Sequence, residues 1–344
     1  MIIPLKRKDS FKMTLTELYL QKADNIAPQL AYKLDITFEI QKKAVREKLL
    51  DLLCMPVKQT TPSPIIDWTS NEDPRFDEIR FHFESEPGFF VPAHILRPKG
   101  SSGGEWAVIC LQGHSKGMHV SIGRADIDSM EPAVIEGDRD FALQIVAEGY
   151  TAVVMEQRGF GLQRCSITPN SCGFLVSQAY ALGRTLIGDR IFDICRLIDA
   201  ISEFSFIDIE KIACMGNSSG GTTSFYAACV EDRIAAVMPS CCFAPFRNSF
   251  IGYYHCSCGI IPRMLDWFDM PDLVLAIAPK PLVIVSGEHD AIADIGAVRK
   301  AYEEKVEPIY RSAGVPEKCT LIVGEEGHRF YAEQSWKAFR EIIK

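Results

Sequence analysis

The sequence predicts an α/β fold: a mostly parallel central sheet with helices on both faces, preceded by an N-terminal helical extension. Three observations carry this prediction. Short, continuous apolar runs of strand length recur at 107–111, 151–155, 211–215, 234–239, 281–285 and 319–323. Between them lie amphipathic stretches at helical spacing, at 141–148, 187–204, 295–312 and 333–343, with another running from the strand at 211–215 to about residue 230. Strands buried on both faces lose their polar alternation, and such strands alternating with helices mark a parallel sheet covered on both sides. The third observation is a hairpin signal. Residues 77–84 alternate, with Ile79, Phe81 and Phe83 on one face, Glu86-Pro87-Gly88 supplies a turn, and 89–96 reads as the return strand. This predicts an antiparallel edge.

Ahead of the hairpin, Phe38, Ile40, Val45, Leu49, Leu50 and Leu53 recur at roughly helical spacing, and the Thr/Pro/Ser stretch to Pro64 ends that segment. The expected organisation is a helical extension over 1–76 packed on a main domain over 77–344. Within that domain, 243–270 breaks the strand–helix rhythm and is rich in Phe, Tyr, Trp and Cys, as an insertion would be.

Composition excludes several classes. The formal net charge is −8, and the basic triplet Lys6-Arg7-Lys8 has no larger companion, so a nucleic-acid partner is not expected. No apolar run reaches the length of a membrane span. The start, from Met1 to Lys8, lacks the pattern of a signal peptide. A cytoplasmic setting is therefore the expectation, with the twelve cysteines, among them Cys110 and Cys214 in buried strands, reduced and unpaired.

Gly216-Asn217-Ser218-Ser219-Gly220-Gly221 follows a strand and opens a helix. This is the G-x-S-x-G elbow in its proper context. The flanking glycines permit the sharp turn that exposes the Ser218 hydroxyl at the carboxyl end of the sheet. Ser219 is a rival nucleophile, one residue past the tip. Serine needs a base, and histidine titrates in the right range. Of seven histidines, His328 lies after the last strand and before the last helix, where the order Ser, acid, His puts the base. His82 and His94 lie in the hairpin, where structural roles are expected, and His289 precedes the acid. Ser286-Gly287-Glu288-His289-Asp290 follows the strand at 281–285, so Asp290 is the expected acid, with Asp294 and Glu288 as rivals.

The loop after the strand at 107–111, Gln112-Gly113-His114-Ser115-Lys116-Gly117, is placed to complete an oxyanion hole, with the backbone N–H of His114 partnering that of Ser219. In the insertion, Phe243, Phe246 and Trp267 are candidate pocket walls, either stacking on a sugar ring or closing a small acyl pocket. Cys241-Cys242 and His255-Cys256-Ser257-Cys258 fit zinc-ligand spacing poorly and are expected to be buried or pocket-lining thiols. No metal and no cofactor are expected. Glu156 and Arg158 are expected to tie a loop together.

Gln112-Gly113-His114, Glu156-Gln157-Arg158-Gly159-Phe160-Gly161, the elbow at Ser218, Gly287-Glu288-His289-Asp290 and Gly327-His328-Arg329-Phe330-Tyr331 together resemble the dienelactone hydrolase-like α/β-hydrolases, and within them the acetyl xylan esterase-like branch. The resemblance runs from about residue 35 to the end. It implies the α/β-hydrolase fold and a serine esterase that cleaves a short-acyl, acetyl ester of a carbohydrate or similar alcohol. It leaves homo-oligomerisation open. The chain departs from the pattern at Gln112, where relatives commonly have His, at Ser219, where Met is frequent, and at Asp294, where Pro is frequent. These departures touch the pocket and not the triad. Ser218 in place of cysteine argues against dienelactone hydrolysis itself. A peptidase of the prolyl-oligopeptidase type and a non-catalytic binding protein on the same fold are the alternative functions.

Overall fold

The computed structural model describes residues 13–127, 129–168 and 171–344; the basic triplet at 6–8 and the N-terminal segment read for a signal lie outside them. Its centre is a nine-stranded sheet. The strands are β1 (Ile65–Ser70), β2 (Phe76–Glu86), β3 (Phe89–Pro98), β4 (Ala107–Leu111), β5 (Thr151–Met155), β6 (Ile212–Asn217), β7 (Ile234–Ser240), β8 (Leu282–Gly287) and β9 (Cys319–Gly324). They lie in the order β1-β2-β3-β5-β4-β6-β7-β8-β9. β1, β2, β3 and β5 pair antiparallel, and every pairing from β5 to β9 is parallel. The sheet is thus mostly parallel with an antiparallel flank, the α/β-hydrolase architecture.

The apolar runs are continuous because both faces are covered. In β4, Ala107, Ile109 and Leu111 belong to one core cluster while Val108 and Cys110 belong to the other. In β6, Ile212 and Cys214 face one way and Ala213 and Met215 the other. The larger layer holds helices Phe38–Leu53, Leu186–Ile201 and Ser219–Val230, and the smaller one Phe141–Ala147 and Ala332–Ile342. Among the described residues, no helix is long and apolar enough to cross a membrane.

The N-terminal segment differs from the helical reading. Two helices, Leu15–Asp24 and Phe38–Leu53, are joined by non-helical chain, and Ile65–Ser70 is a strand that extends the sheet beyond the hairpin. Its short run, Ile-Ile-Asp-Trp-Thr-Ser, follows Pro64 directly and is largely solvent-exposed, so it carries little hydrophobic pattern. The stretch between the helices is hydrogen-bonded to the insertion: the N–H groups of Gln29 and Leu30 donate to the carbonyls of Asp266 and Trp267, at 3.2 and 2.6 Å. The N–H of Tyr32 donates to Asp272 Oδ1 at 2.9 Å. The helix expected over 295–312 is interrupted by a π-helical turn, Tyr302–Val306. Pro308 follows at the start of the next α-helical turn, where its missing N–H forbids the regular bond.

Helix Phe38–Leu53 docks its C-terminal end on the start of Leu186–Ile201. Val45, Leu49 and Leu53 are fully buried, and Thr185 Oγ1 donates to the Leu53 carbonyl at 2.7 Å while accepting the Gly188 N–H at 3.0 Å. A Cβ on Gly188 would overlap that same Leu53 carbonyl. Gly→Ala in a free helix stabilises by up to about 1 kcal/mol. Here the clash reverses the sign: Gly188→Ala is expected to lower the melting temperature by at least about 2 °C. Thermal unfolding followed by circular dichroism checks this, and a rise would show that the two helices separate at no cost.

Candidate active site

The chain order places the site. β5 lies on one side of β4 and β6 on the other, so the strand order reverses between β4 and β6. At such a switch point the connections leave in opposite directions, and a crevice opens beyond the carboxyl ends of the strands. The loops leaving these two ends are the ones that carry His114 and Ser218.

Ser218 sits between β6 and helix Ser219–Val230 at φ 58°, ψ −122°, a strained conformation for a residue with a side chain. Two bonds fix it: its N–H donates to the Ser240 carbonyl at 2.8 Å, and its carbonyl accepts from the Thr222 N–H at 2.9 Å. The loop after β4 lies directly against it. A Cβ on Gly113 would stand 2.9 Å from Ser218 Cβ and 2.8 Å from the Asn217 carbonyl oxygen, so only glycine permits the approach.

His328 and Asp290 are brought together. His328 Nδ1 lies 3.0 Å from both carboxylate oxygens of Asp290. The Asp290 side chain is only 3% exposed, and its Oδ1 accepts the Ile292 N–H at 3.1 Å. Burial raises this carboxyl, but the His328 hydrogen bond and charge outweigh it and hold the group below its usual range. The rivals are engaged elsewhere. Asp294 caps the following helix, accepting the Ala297 N–H at 3.2 Å, and Glu288 pairs with Arg299. Ser219 is buried, and its Oγ accepts from Arg190 Nη1 at 2.9 Å, so its hydroxyl faces away from nucleophilic work. His94 is buried against Glu78, itself paired with Arg124, and His82 bonds Asp67.

Ser218, Ser219, His114 and His328 line one cavity of about 310 Å³. The aromatic walls differ from the expected ones. Phe243 and Phe246 are buried in the larger core cluster, and Trp267 packs beside them under Lys48, whose Nζ lies 4.2 Å from the ring centre. Phe250, Tyr254 and His255 of the same insertion line the cavity instead. The insertion is built of short 3₁₀ turns without a period, so its sequence gives no signal for which ring faces inward. The cavity wall also holds Cys172, Cys256 and Cys258. Burial pulls the His114 imidazole down, but its hydrogen bonds with Cys172 and Cys258 push it up to about 9.

The two residues of the Glu-Gln-Arg segment do tie loops together. Arg158 bonds Asp193 through Nε at 2.8 Å and Glu86 through Nη1 at 2.7 Å. Glu156 is buried and accepts the N–H groups of Met118 and Leu162 at 3.2 Å each. Burial pushes its carboxyl from 4.5 up to about 7, against those two bonds.

Two outcomes are expected. Asp290→Asn should keep the fold and lower kcat by about 10³–10⁴, because the imidazole tautomer is no longer fixed, whereas Asp294→Asn, which preserves a good helix cap, should change kcat less than about threefold; the reverse order would move the acid to Asp294. The Glu156 carboxyl holds its proton more tightly folded than unfolded. Its contribution to stability is therefore full below about pH 4.5 and lost as the pH rises through about 7. Glu156→Gln should accordingly gain melting temperature relative to the parent between pH 5 and pH 8, measured by scanning calorimetry. A gap independent of pH would show that Glu156 is charged in the folded protein.

Comparison with known proteins gives this geometry a family. Residues 134–251 match the acetyl xylan esterase family, and residues 3–187 match the abhydrolase family. Over 248 residues the chain is 23% identical to YtaP of Bacillus subtilis, a protein named as a hydrolase, covering 69% of this chain and 78% of that one. A Bacteroides fragilis protein assigned as an acetyl xylan esterase shares the fold at a TM-score of 0.76 and 16% identity, over 96% of this chain and 86% of that one. A glucuronoyl esterase from Solibacter usitatus does so at 0.68 and 12%, over 93% and 98%. With a match across more than half of its length, and with the fold and elbow described above, the chain belongs to the abhydrolase family of α/β-hydrolases and is acetyl xylan esterase-like.

Proposed function

We propose that this protein is a serine esterase that removes a short acyl group, acetyl in the first instance, from a carbohydrate or similar alcohol. The observation that carries the reading is the hydrogen-bonded His328–Asp290 pair opening on the same cavity as Ser218 at the switch point of the sheet. In this reading Ser218 Oγ attacks the ester carbonyl carbon while His328 Nε2 takes its proton. Asp290 holds Nδ1–H and stabilises the imidazolium that forms. The backbone N–H groups of His114 and Ser219 receive the oxyanion, a contribution of about 3–4 kcal/mol for one donor in comparable sites. His328 then protonates the leaving alcohol, the acyl-enzyme forms, and water repeats the sequence.

The acyl preference rests on size. A cavity of about 310 Å³ with Phe250, Tyr254 and Ile292 among its lining residues lies at the lower bound of ordinary ligand sites and suits a small acyl group. The match to the acetyl xylan esterase family over 134–251 supports the same substrate class.

One panel tests the reading: acetyl, butyryl and octanoyl p-nitrophenyl esters, acetylated xylo-oligosaccharides, glucuronoyl esters and prolyl anilides, each with parent and Ser218→Ala protein. Acetyl esters should show the highest kcat/KM, and Ser218→Ala should lose at least about a thousandfold. Preference for octanoyl esters would refute the small pocket. Anilide cleavage would shift the reading to a peptidase, and turnover by Ser218→Ala would end the serine mechanism.

A further inference from the structure

The wall of the cavity that His328 lines also holds a second chemical group. His114 Nε2 lies 3.5 Å from Cys258 Sγ and 3.7 Å from Cys172 Sγ. With Cys256, the ligand atoms of these four residues all lie within 4.8 Å of one another. A tetrahedral zinc ion bound at roughly 2.3 Å to sulfur and roughly 2.0–2.1 Å to nitrogen holds neighbouring S and N atoms about 3.6 Å apart. The two measured separations therefore match those of ligands around one ion. The four residues come from three segments: the loop after β4, the residue preceding helix Gly173–Ala181, and the insertion. The spacing rule that argued against zinc in His255-Cys256-Ser257-Cys258 considered only neighbours in sequence. His255 is in fact turned away, its Nε2 on the Ile292 carbonyl at 2.7 Å, and the nitrogen ligand arrives from His114.

A second, independent feature points the same way. Arg190 is fully buried, and its guanidinium is directed to the Arg158 carbonyl, Ser219 Oγ and Cys172 Sγ, with the Phe160 ring 4.5 Å away. Among the described residues no carboxylate lies within ion-pair distance of it, and the thiol of Cys172 lies 3.6 Å from its Nη2. A buried cation without a counter-charge is costly. Zinc(II) with three thiolates and a neutral imidazole carries a net charge of −1, and so supplies the missing partner beside Cys172.

We propose that His114, Cys172, Cys256 and Cys258 form a Cys₃His zinc site, with Arg190 as its buried counter-ion. Four protein ligands close the coordination sphere, as in structural zinc sites. The ion therefore positions chain and takes no part in the ester chemistry. It fastens the loop that carries His114 to the insertion that walls the cavity. Binding displaces the protons held by the three thiols and the imidazole, which pass to solvent. The exposed edge of His114 at the cavity mouth gives the ion its way in.

The test is metal content first, and does not depend on activity. The full chain, purified from zinc-supplemented cells without chelator, should carry about one zinc per chain by mass spectrometry. After the zinc is stripped under reducing conditions, cobalt(II) should restore intense tetrahedral d–d bands and a sulfur-to-cobalt charge-transfer band. Cys258→Ser should weaken zinc binding at least about tenfold, Cys256→His should retain it, and Cys54→Ser, an exposed thiol elsewhere, should leave it unchanged. Circular dichroism of each variant separates lost ligation from lost fold, and the parent measurement stands without any variant. Parent protein that neither carries zinc nor binds cobalt with thiolate absorption would overturn the proposal. So would a disulfide among Cys172, Cys256 and Cys258 in freshly reduced and dialysed protein, or undiminished zinc binding by folded Cys258→Ser.

Discussion

The site depends on two stretches of backbone lying closer than side chains allow. A Cβ on Gly220 would overlap the Leu111 carbonyl, and one on Gly113 would strike Ser218. The end of β4 and the start of helix Ser219–Val230 are therefore in main-chain contact across the β4–β6 seam. This contact sets the distance between the loop that carries His114 and the hydroxyl of Ser218. It also fixes the strained elbow, since Ser218 is held from β7 through Ser240 while the helix pulls on its carbonyl. Strain of this kind, of the order of 1–3 kcal/mol, persists only where the surroundings over-determine it. Here they do so with a sheet bonded on both sides of the seam.

A network of partly buried charges joins three elements. Glu86, from the β2–β3 hairpin, meets Arg158 and Arg184, and these meet Asp189 and Asp193 on helix Leu186–Ile201. The hairpin, the loop after β5 and the long helix are thereby fixed to one another. Arg190 stands one turn along that helix and faces the other way, to Ser219 Oγ and Cys172. Breaking such a network by removing one partner costs more than the network contributes, because the charges left behind are buried. The network accordingly holds these elements in place, and its role is positional.

The parts of this protein that were legible in the sequence are those written in local pattern. The parallel strands showed as unbroken apolar runs because both of their faces are covered, as the split of β4 between two cores makes plain. Asp290 and His328, expected from their places after strands, meet in space although 38 residues separate them. What escaped was written in three dimensions. β1 is short and exposed, so nothing in its residues alternates. Which aromatic of the insertion faces the cavity depends on turns without a period, and Phe250 and Tyr254 took the place expected for Phe243, Phe246 and Trp267. The gathering of His114 with Cys172, Cys256 and Cys258 spans the chain from β4 to the insertion and leaves no spacing to read.

The bonds from residues 29–32 to the insertion have a mechanical meaning. Gln29, Leu30 and Tyr32 grip Asp266, Trp267 and Asp272, and Lys48 of the next helix covers the Trp267 ring. At its other end the insertion is tied to the loop of Asp290, through His255 to Ile292 and through the N–H of Asp294 to the Asn248 carbonyl. The wall of the cavity is thus a bridge with one abutment in the first tenth of the chain and the other beside Asp290. Load applied to the N-terminal arm reaches Asp290 through a path of main-chain bonds, without passing through the sheet. The shape of the cavity is consequently a property of the chain from its opening helices onward.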